Sequence, residues 1–269
     1  MEEKCLFFEK SSLIRKSLKY RIMARLNIFE KKKIDQKTIY VLYNLNKKSI
    51  EKIERKIKMH NLPVVLSKEI KEKANEYKKL NLIIKRLKED KTIFKNYIEE
   101  ILKNVIIRKK EIIEEQNIYI LAKEENLELK NKIIKMLTEY KAINIVTENL
   151  REFQKLEEKL DKNLETFAVL NNKRKSLTRA KYIINVDYSG EDLIKYNINR
   201  TANIFNLNTE KFHLNNFDGC IINNIELNVN NQKYDIKDLY LANMINKEIV
   251  EDLIKKGQYK LIGNNGYID

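Results

Sequence analysis

The feature that most constrains the fold is an alternation of short apolar runs with helix-length segments between residues 117 and 207. The runs are rich in β-branched and aromatic residues, which predicts buried strands. Strands that alternate with helices favour parallel pairing through crossovers, so the pattern predicts an α/β fold. The predicted strands are 117–121, 142–147, 166–170, 181–186 and 202–207, and helices are predicted at 126–140 and 150–160.

A similar strand–helix–strand unit lies upstream, at residues 38–42, 47–59 and 63–67. Its first strand shares Ile-Tyr and a final Leu with the strand at 117–121, which suggests a duplication or convergence on a common pattern. Either origin predicts two lobes with mostly parallel sheets, joined by long amphipathic helices within 68–115. The expected segments are 1–116 (N-terminal lobe with connecting helices), 117–210 (Rossmann-like lobe) and 211–269 (C-terminal appendage).

Both ends of the chain carry further elements. At the N-terminus, residues 5–8 can form a strand, and Ser11 or Ser12 can cap a basic amphipathic helix that extends through Ile28. Such a helix either docks on its own domain or lies on a membrane surface. Near the C-terminus, a strand pair is predicted within 217–229, a helix at 236–256, and a terminal strand and turn at 260–266.

Composition indicates the class of protein. The chain has 269 residues, 43 % of them hydrophobic, and two cysteines, Cys5 and Cys220, which give no disulfide framework and no metal spacing. No apolar run approaches the length needed to span a bilayer, and we expect no signal peptide. These features favour a reduced, cytoplasmic protein without a transmembrane segment.

The formal net charge of +15 has two explanations. Such a positive field attracts polyanions, either nucleic acid or an acidic membrane surface. The excess is almost all lysine, however, and it accompanies frequent isoleucine and asparagine, which is typical of proteins encoded by AT-rich genomes. Arginine, the better residue for bidentate phosphate contacts, is scarce.

Ligands of open α/β sheets bind beyond the carboxyl ends of the strands, so a site is expected in the loops there. The loop 122–126 contains no glycine, whereas a dinucleotide site needs glycines for the tight turn and the close approach to pyrophosphate. Glu124 and Glu125 would also repel phosphate, which argues against ordinary NAD binding. Glu148 occupies the position of a ribose-binding acid or simply begins a helix, and Asp187 is a candidate acid or base without a partner carboxylate.

The strongest candidate site follows the third strand. Residues 171–179 combine four cations, two amides and two hydroxyls, which could bind a phosphate or a nucleic-acid backbone at the end of a strand. The alternative is a solvated loop in which Ser176 caps a short turn. The candidate ligand-binding residues are Asn171, Asn172, Lys173, Arg174, Lys175, Ser176, Arg179, Glu148 and Asp187.

Other chemistries have no pattern to support them. His60 and His213 are the only histidines, and neither has a Cys, Asp or Glu at metal-ligand spacing. No nucleophile elbow, phosphate-binding lysine loop or carboxylate pair can be read, and Cys220 is expected to be a small core residue. The sequence therefore predicts neither a metal site nor a catalytic set.

The region 117–207 resembles the nucleotide-binding half of shikimate dehydrogenase-like and glutamyl-tRNA reductase-like proteins in the order of its strand ends. One of the shared features is the Ala-x-x-Ile-Ile-Asn strand at 180–185. The resemblance implies a Rossmann-like lobe. The chain lacks the glycine fingerprint of those families, so their catalysis does not carry over. Two stretches, 142–153 with Ile-Val-Thr-x-Asn and 170–187 with Asn-Asn-Lys-x-Lys-Ser, resemble an uncharacterised conserved family of AT-rich Gram-positive anaerobes, and this resemblance implies no known activity.

Three hypotheses follow. The leading one is a non-catalytic, cytoplasmic α/β protein that binds an anionic small molecule or a protein partner through residues 171–176, in a regulatory or scaffold role. The second is a divergent oxidoreductase that holds NADP through Lys173 and Arg174. The third is nucleic-acid binding by a basic surface, which would weaken steeply with salt.

Overall fold

A computed structural model of the chain groups into two units. The first comprises Met1–Asp90 with Leu227–Leu253, and the second comprises Lys91–Glu226 with Ile254–Asp269. Each unit contains a mostly parallel sheet flanked by helices, so the predicted two-lobed α/β fold is confirmed. The structure describes residues 5–11, 17–34, 37–60, 62–160, 167–171, 173–229 and 233–268.

Strands and helices alternate along most of the chain. The strands are β1 (Leu6–Lys10), β2 (Phe29–Ile34), β3 (Lys37–Leu42), β4 (Val64–Leu66), β5 (Asn117–Leu121), β6 (Ala142–Thr147), β7 (Phe167–Asn171), β8 (Tyr182–Asn185), β9 (Asn203–Asn206), β10 (Cys220–Leu227), β11 (Tyr259–Gly263) and β12 (Gly266–Ile268). The α-helices are α1 (Leu18–Leu26), α2 (Lys47–Met59), α3 (Lys68–Glu76), α4 (Asn81–Glu89), α5 (Thr92–Asn96), α6 (Ile98–Arg108), α7 (Leu127–Leu137), α8 (Leu150–Leu160), α9 (Gly190–Ile194), α10 (Ile236–Leu241) and α11 (Lys247–Lys255).

Local sequence signals account for several of these bounds. The strands β5 and β6 and the helices α2 and α8 begin and end where the periodicity predicts. At the start of α7 the side chain of Asn126 accepts a hydrogen bond from the amide of Leu129 at 2.8 Å. At the start of α9, Ser189 and Asp192 form a reciprocal capping box.

In the first unit, the sheet has the order β2-β3-β1-β4. The central strand β1 pairs in parallel with both β3 and β4, and β2 is an antiparallel edge strand beside β3. The strands β3 and β4 therefore lie on opposite sides of β1, whereas β5 and β6 pair directly with each other. This difference gives no support to a duplication of one strand–helix–strand unit.

The second sheet has the order β12-β11-β10-β9-β8-β5-β6-β7. From β7 to β10 all neighbouring strands are parallel, and β11 and β12 form an antiparallel hairpin at the other end. Counted from β5 as the first strand, the parallel part has the order 3-2-1-4-5-6. The direction of winding reverses between β5 and β8, which creates a topological switch point.

The connection from β7 to β8 crosses β6 and β5 without an α-helix in residues 173–181, which we name the crossover segment. Leu177 and Ala180 of this segment are fully buried in a hydrophobic cluster with Leu121 and Ile183 of the sheet. Burial of these two apolar side chains holds the segment against one face of the sheet and leaves its cations in solvent.

Two predicted elements near the C-terminus differ from the structure. The strand pair expected within 217–229 is the single strand β10, which pairs in parallel with β9. The helix expected at 236–256 is divided into α10 and α11, because Asn243 adopts the left-handed conformation with φ of 54°.

The helical stretch 68–115 is also divided, into α3 to α6 and a short 3-10 helix at Ile113–Glu115. Lys78 and Leu80, with φ of 49° and 57°, separate α3 from α4. The N-terminal helix begins later than expected, at Leu18 with Ser17 as its cap, and Ser12 lies outside the described residues. Among the described residues no helix is long and apolar enough to cross a membrane.

The two units group the chain differently from the expected segments 1–116, 117–210 and 211–269. The first division follows Asp90, so α5 and α6 belong with the second sheet. The C-terminal part contributes to both units, because α10 lies in the first and β11 and β12 extend the second sheet.

Candidate anion-binding site

The carboxyl ends of β5, β6 and β8 meet at the switch point of the second sheet. The residues that follow these strands are Lys123 and Glu124 after β5, Glu148 after β6 and Asp187 after β8. In a dinucleotide-binding sheet, the backbone amides after the first strand hold the pyrophosphate. The group that accepts hydrogen bonds from these amides therefore determines whether a phosphate can bind at this edge.

The Asp187 carboxylate is the acceptor for the backbone amides that follow β5. Its two oxygens accept hydrogen bonds from the amide of Lys123 at 3.0 and 3.1 Å, and the amide of Glu124 also donates to it. Burial raises the pKa of Asp187 above its ordinary value, although these amides and the Lys123 ammonium act in the opposite direction. A protein carboxylate thus occupies the position at which a phosphate would be expected.

The Lys123 ammonium and a first-turn amide of α7 are also satisfied within the chain. The Lys123 ammonium forms an ion pair with Asp192 at 2.7 Å, and this hydrogen bond is the main reason that the pKa of Asp192 is lowered. The Asn126 side chain caps the first turn of α7. An incoming anion would have to break these contacts.

The crossover segment presents a different surface. Lys173, Arg174, Lys175 and Arg179 are all exposed. Arg174 donates through Nε to the Asn197 side chain at 3.0 Å. Within the described residues none of these four cations forms an ion pair with a carboxylate. Their charge is therefore available to an external anion.

The backbone of this segment is fixed by several hydrogen bonds. The Ser176 amide donates to the carbonyl of Lys173 at 2.9 Å, and the Thr178 hydroxyl donates to the carbonyl of Lys175 at 2.8 Å. The amide of Asn197 donates to the carbonyl of Arg174 at 2.7 Å. These contacts, together with the buried Leu177, hold the cations in a defined turn.

The sequence-predicted site residues fall into two groups. Glu148, which is exposed, and Asp187 both act on the pKa of Lys123, so these two lie near the switch point. The crossover group consists of Lys173, Arg174, Lys175, the half-buried Ser176 and Arg179. Asn171 ends β7 opposite Thr147 of β6, and Asn172 lies outside the described residues.

Sequence reasoning missed a chain of asparagines along the same edge of the sheet. The Asn185 amide nitrogen donates to Asn206 at 3.0 Å, Asn206 donates to Asn223 at 2.8 Å, and Asn223 donates to Asn264 at 2.7 Å. The first three are buried at the ends of β8 and β9 and within β10. The signal was present, because Asn185, Asn206 and Asn223 each follow two apolar residues in the sequence.

Further contacts connect this asparagine chain to the switch point. The Asn208 side chain donates to the carbonyls of Asp187 and Tyr188, at 3.1 and 3.0 Å. The buried Lys91 ammonium donates to the carbonyl of Asn206 at 2.8 Å and to that of Asn208. Buried amides and an ammonium with full hydrogen bonding stiffen such an edge.

An open cavity of about 280 Å³ lies elsewhere in the second unit, against the β11–β12 hairpin. His213, Phe217, Cys220 and Asn264 are among its lining residues. Cys220, expected in the core, is only partly buried there. None of the predicted site residues lines this cavity.

The described residues contain no group of three or more histidine, cysteine, aspartate or glutamate side chains placed to hold a metal ion. No protein-family model matches the chain, and no curated protein matches it either. The assignment of function therefore depends on the geometry of the site.

Proposed function

We propose that the second unit is a Rossmann-like domain that binds an anionic ligand or partner without catalysis, through the cations of the crossover segment. Its strand order of 3-2-1-4-5-6 is that of dinucleotide-binding sheets, which supports the fold assignment. Both cysteines are free, as is usual in a reducing compartment, which supports a location in the cytoplasm. The role that we propose there is regulatory or that of a scaffold.

The observation that carries the proposal is the position of Asp187. Its carboxylate accepts from the Lys123 and Glu124 amides, which a pyrophosphate would otherwise use. The loop also lacks the glycines that allow close approach. A bound dinucleotide would have to displace a carboxylate and face Glu124 and Glu125.

The crossover segment supports the second part of the proposal, the binding of an anion. Its cations are exposed, and charge-assisted hydrogen bonds from arginine and lysine to phosphate or carboxylate oxygens are the strong ones. The turn is anchored by Leu177 and Ala180, so the cations do not need to be ordered from a flexible loop when a ligand binds.

Binding is tested by thermal unfolding of the full chain with inorganic pyrophosphate, NADP, NAD, ATP or a short single-stranded RNA. A ligand at 100 times its dissociation constant adds about 2.7 kcal/mol of stability. For a protein of this size, that corresponds to a rise in Tm of about 5–11 °C. We expect such a shift from at least one anion.

Matched variants locate the site. We expect Lys173→Gln/Arg174→Gln/Lys175→Gln to abolish the Tm shift. The control variant Lys47→Gln/Lys48→Gln/Arg55→Gln removes two exposed lysines and one exposed arginine from α2 and should retain the shift. Equal losses in both variants would mean that net charge, not the crossover segment, binds the anion, and the proposal would fail.

The strand order itself supports a second candidate, a divergent NADP-dependent oxidoreductase. In this candidate, Lys173 and Arg174 would bind the 2′-phosphate of NADP. This candidate requires a Tm shift with NADP that NAD does not give, together with oxidation of NADPH by some carbonyl substrate. A shift with pyrophosphate and RNA but not with NADP would favour the binding protein.

A further inference from the structure

Helix α1 directs an apolar stripe away from its own unit. Leu18, Ile22 and Leu26 follow one another at intervals of four residues and are 73 %, 48 % and 55 % exposed. Tyr20 and Met23, on the other side of the helix, are half-buried. No residue of α1 is fully buried, so packing within the unit does not account for the stripe.

Cations border this stripe. Arg21 and Arg25 lie along one side of it, are exposed, and form no ion pair with any residue in the described ranges. The Lys52 ammonium donates to the carbonyls of Leu26 and Asn27 at 3.3 and 2.8 Å, which adds a cation at the C-terminal end of α1. The nearby carboxylate of Glu30 is neutralised by Lys19 at 2.8 Å.

We propose that α1 docks the protein on an anionic lipid bilayer, with Leu18, Ile22 and Leu26 inserted at the level of the acyl chains and Arg21 and Arg25 against the headgroup phosphates. Apolar side chains flanked by cations are the pattern of helices that lie in the membrane interface. A helix of nine residues is too short to span a bilayer and lies along its surface.

Charge complementarity decides between a membrane and a second copy of the chain. Pairing of two α1 helices along the stripe would bring Arg21 and Arg25 of both copies together without a carboxylate to neutralise them, because Glu30 is already paired. An anionic leaflet instead attracts each cation near its surface, by roughly fivefold in partitioning per cation.

The test is co-sedimentation of the full chain with vesicles of phosphatidylcholine alone and of a phosphatidylcholine–phosphatidylserine mixture. We expect binding to the mixture, weaker binding to phosphatidylcholine, and a loss of binding at high salt. Arg21→Gln/Arg25→Gln should weaken partitioning roughly twenty- to thirtyfold. The control Arg55→Gln/Arg86→Gln removes two exposed arginines from α2 and α4 and should change it little.

A second pair of variants tests insertion. Leu18→Gln/Leu26→Gln should abolish vesicle binding, whereas Leu82→Gln/Leu127→Gln, at sites 84 % and 73 % exposed, should retain it. All four leucines are solvent-exposed, so the substitutions should leave the far-ultraviolet circular dichroism unchanged. No binding to the anionic vesicles overturns the proposal, as do equal losses in test and control variants, or self-association through the stripe in place of vesicle binding.

The vesicle experiment tests the membrane role of α1 separately from anion binding by the crossover segment. The variant Lys173→Gln/Arg174→Gln/Lys175→Gln lies in the other unit and should bind vesicles as the unaltered protein does. Loss of vesicle binding in this variant, with binding retained in the α1 variants, would assign the attraction to the crossover segment and exclude a membrane role for α1.

Discussion

At the scale of single residues, Asp187 is a hydrogen-bond acceptor at the switch point. Its carboxylate satisfies backbone amides after β5 that lie 64 residues away in the sequence. Amides without a partner are costly, so the interaction stabilises the loop, and it places a carboxylate where a dinucleotide-binding sheet would hold a phosphate. Under the proposed function, replacing Asp187 should therefore change both the stability of this edge and its affinity for anions.

We predict that Asp187→Ala lowers the free energy of unfolding by about 1–3 kcal/mol, because the amides of Lys123 and Glu124 lose their acceptor. The same variant should bind inorganic pyrophosphate more tightly than the unaltered protein in isothermal titration calorimetry. Asp218→Ala, which removes an exposed carboxylate from the same unit, is the control. Unchanged pyrophosphate affinity in Asp187→Ala would contradict our account of the switch point.

At the scale of elements, the asparagine chain joins β8, β9, β10 and the β11–β12 turn beyond their backbone ladders. Asn206 is central, because it accepts from Asn185 and donates to Asn223 and to the carbonyl of Glu210. Each link satisfies a polar group that the sheet would otherwise bury unpaired.

We predict that Asn206→Leu costs about 2–3 kcal/mol in urea unfolding, since it leaves the buried Asn223 oxygen without this donor and the Asn185 amide without this acceptor. Asn215→Leu, at an exposed position in the same unit, should change stability little. A similar loss in both variants would mean that the leucine, not the broken chain of hydrogen bonds, causes the destabilisation.

The elements also show where sequence reasoning succeeds. The bounds of β6 and α8 were predicted because the periodicity of apolar residues within a dozen positions determines which face is buried. The segment at 217–229 has a weak alternation that fits a strand pair equally well. Its single strand β10 forms because β9 offers a parallel edge, and that edge is not a local property.

At the scale of the whole molecule, the chain enters each unit twice. After β10 it contributes α10 to the first unit, where Lys71 forms an ion pair with Asp238, and then returns to add β11 and β12 to the second sheet. The C-terminal residues are therefore needed by both units.

We predict that a chain ending at Leu253 keeps hydrogen-exchange protection in the first unit and loses it around Asn223, because the residues removed, Ile254–Asp269, all belong to the second unit and include Asn264. A chain ending at Glu226 should also lose protection at Lys68, whose amide donates to the carbonyl of Lys233 at 3.0 Å. Full protection of Lys68 in the shorter chain would show that the C-terminal residues do not protect this amide.

The sequence by itself determined the α/β class, the bounds of β5, β6, α2 and α8, and the cation-rich segment 171–179, because element type and exposure follow from the spacing of neighbouring side chains. Tertiary structure decided the strand order, the placement of Asp187 against the Lys123 amide, and the hydrogen bonds between Asn185 and Asn206. These depend on contacts between residues distant in sequence, which no local pattern specifies. The pairing of the strands therefore decides which polar groups meet at the carboxyl edge.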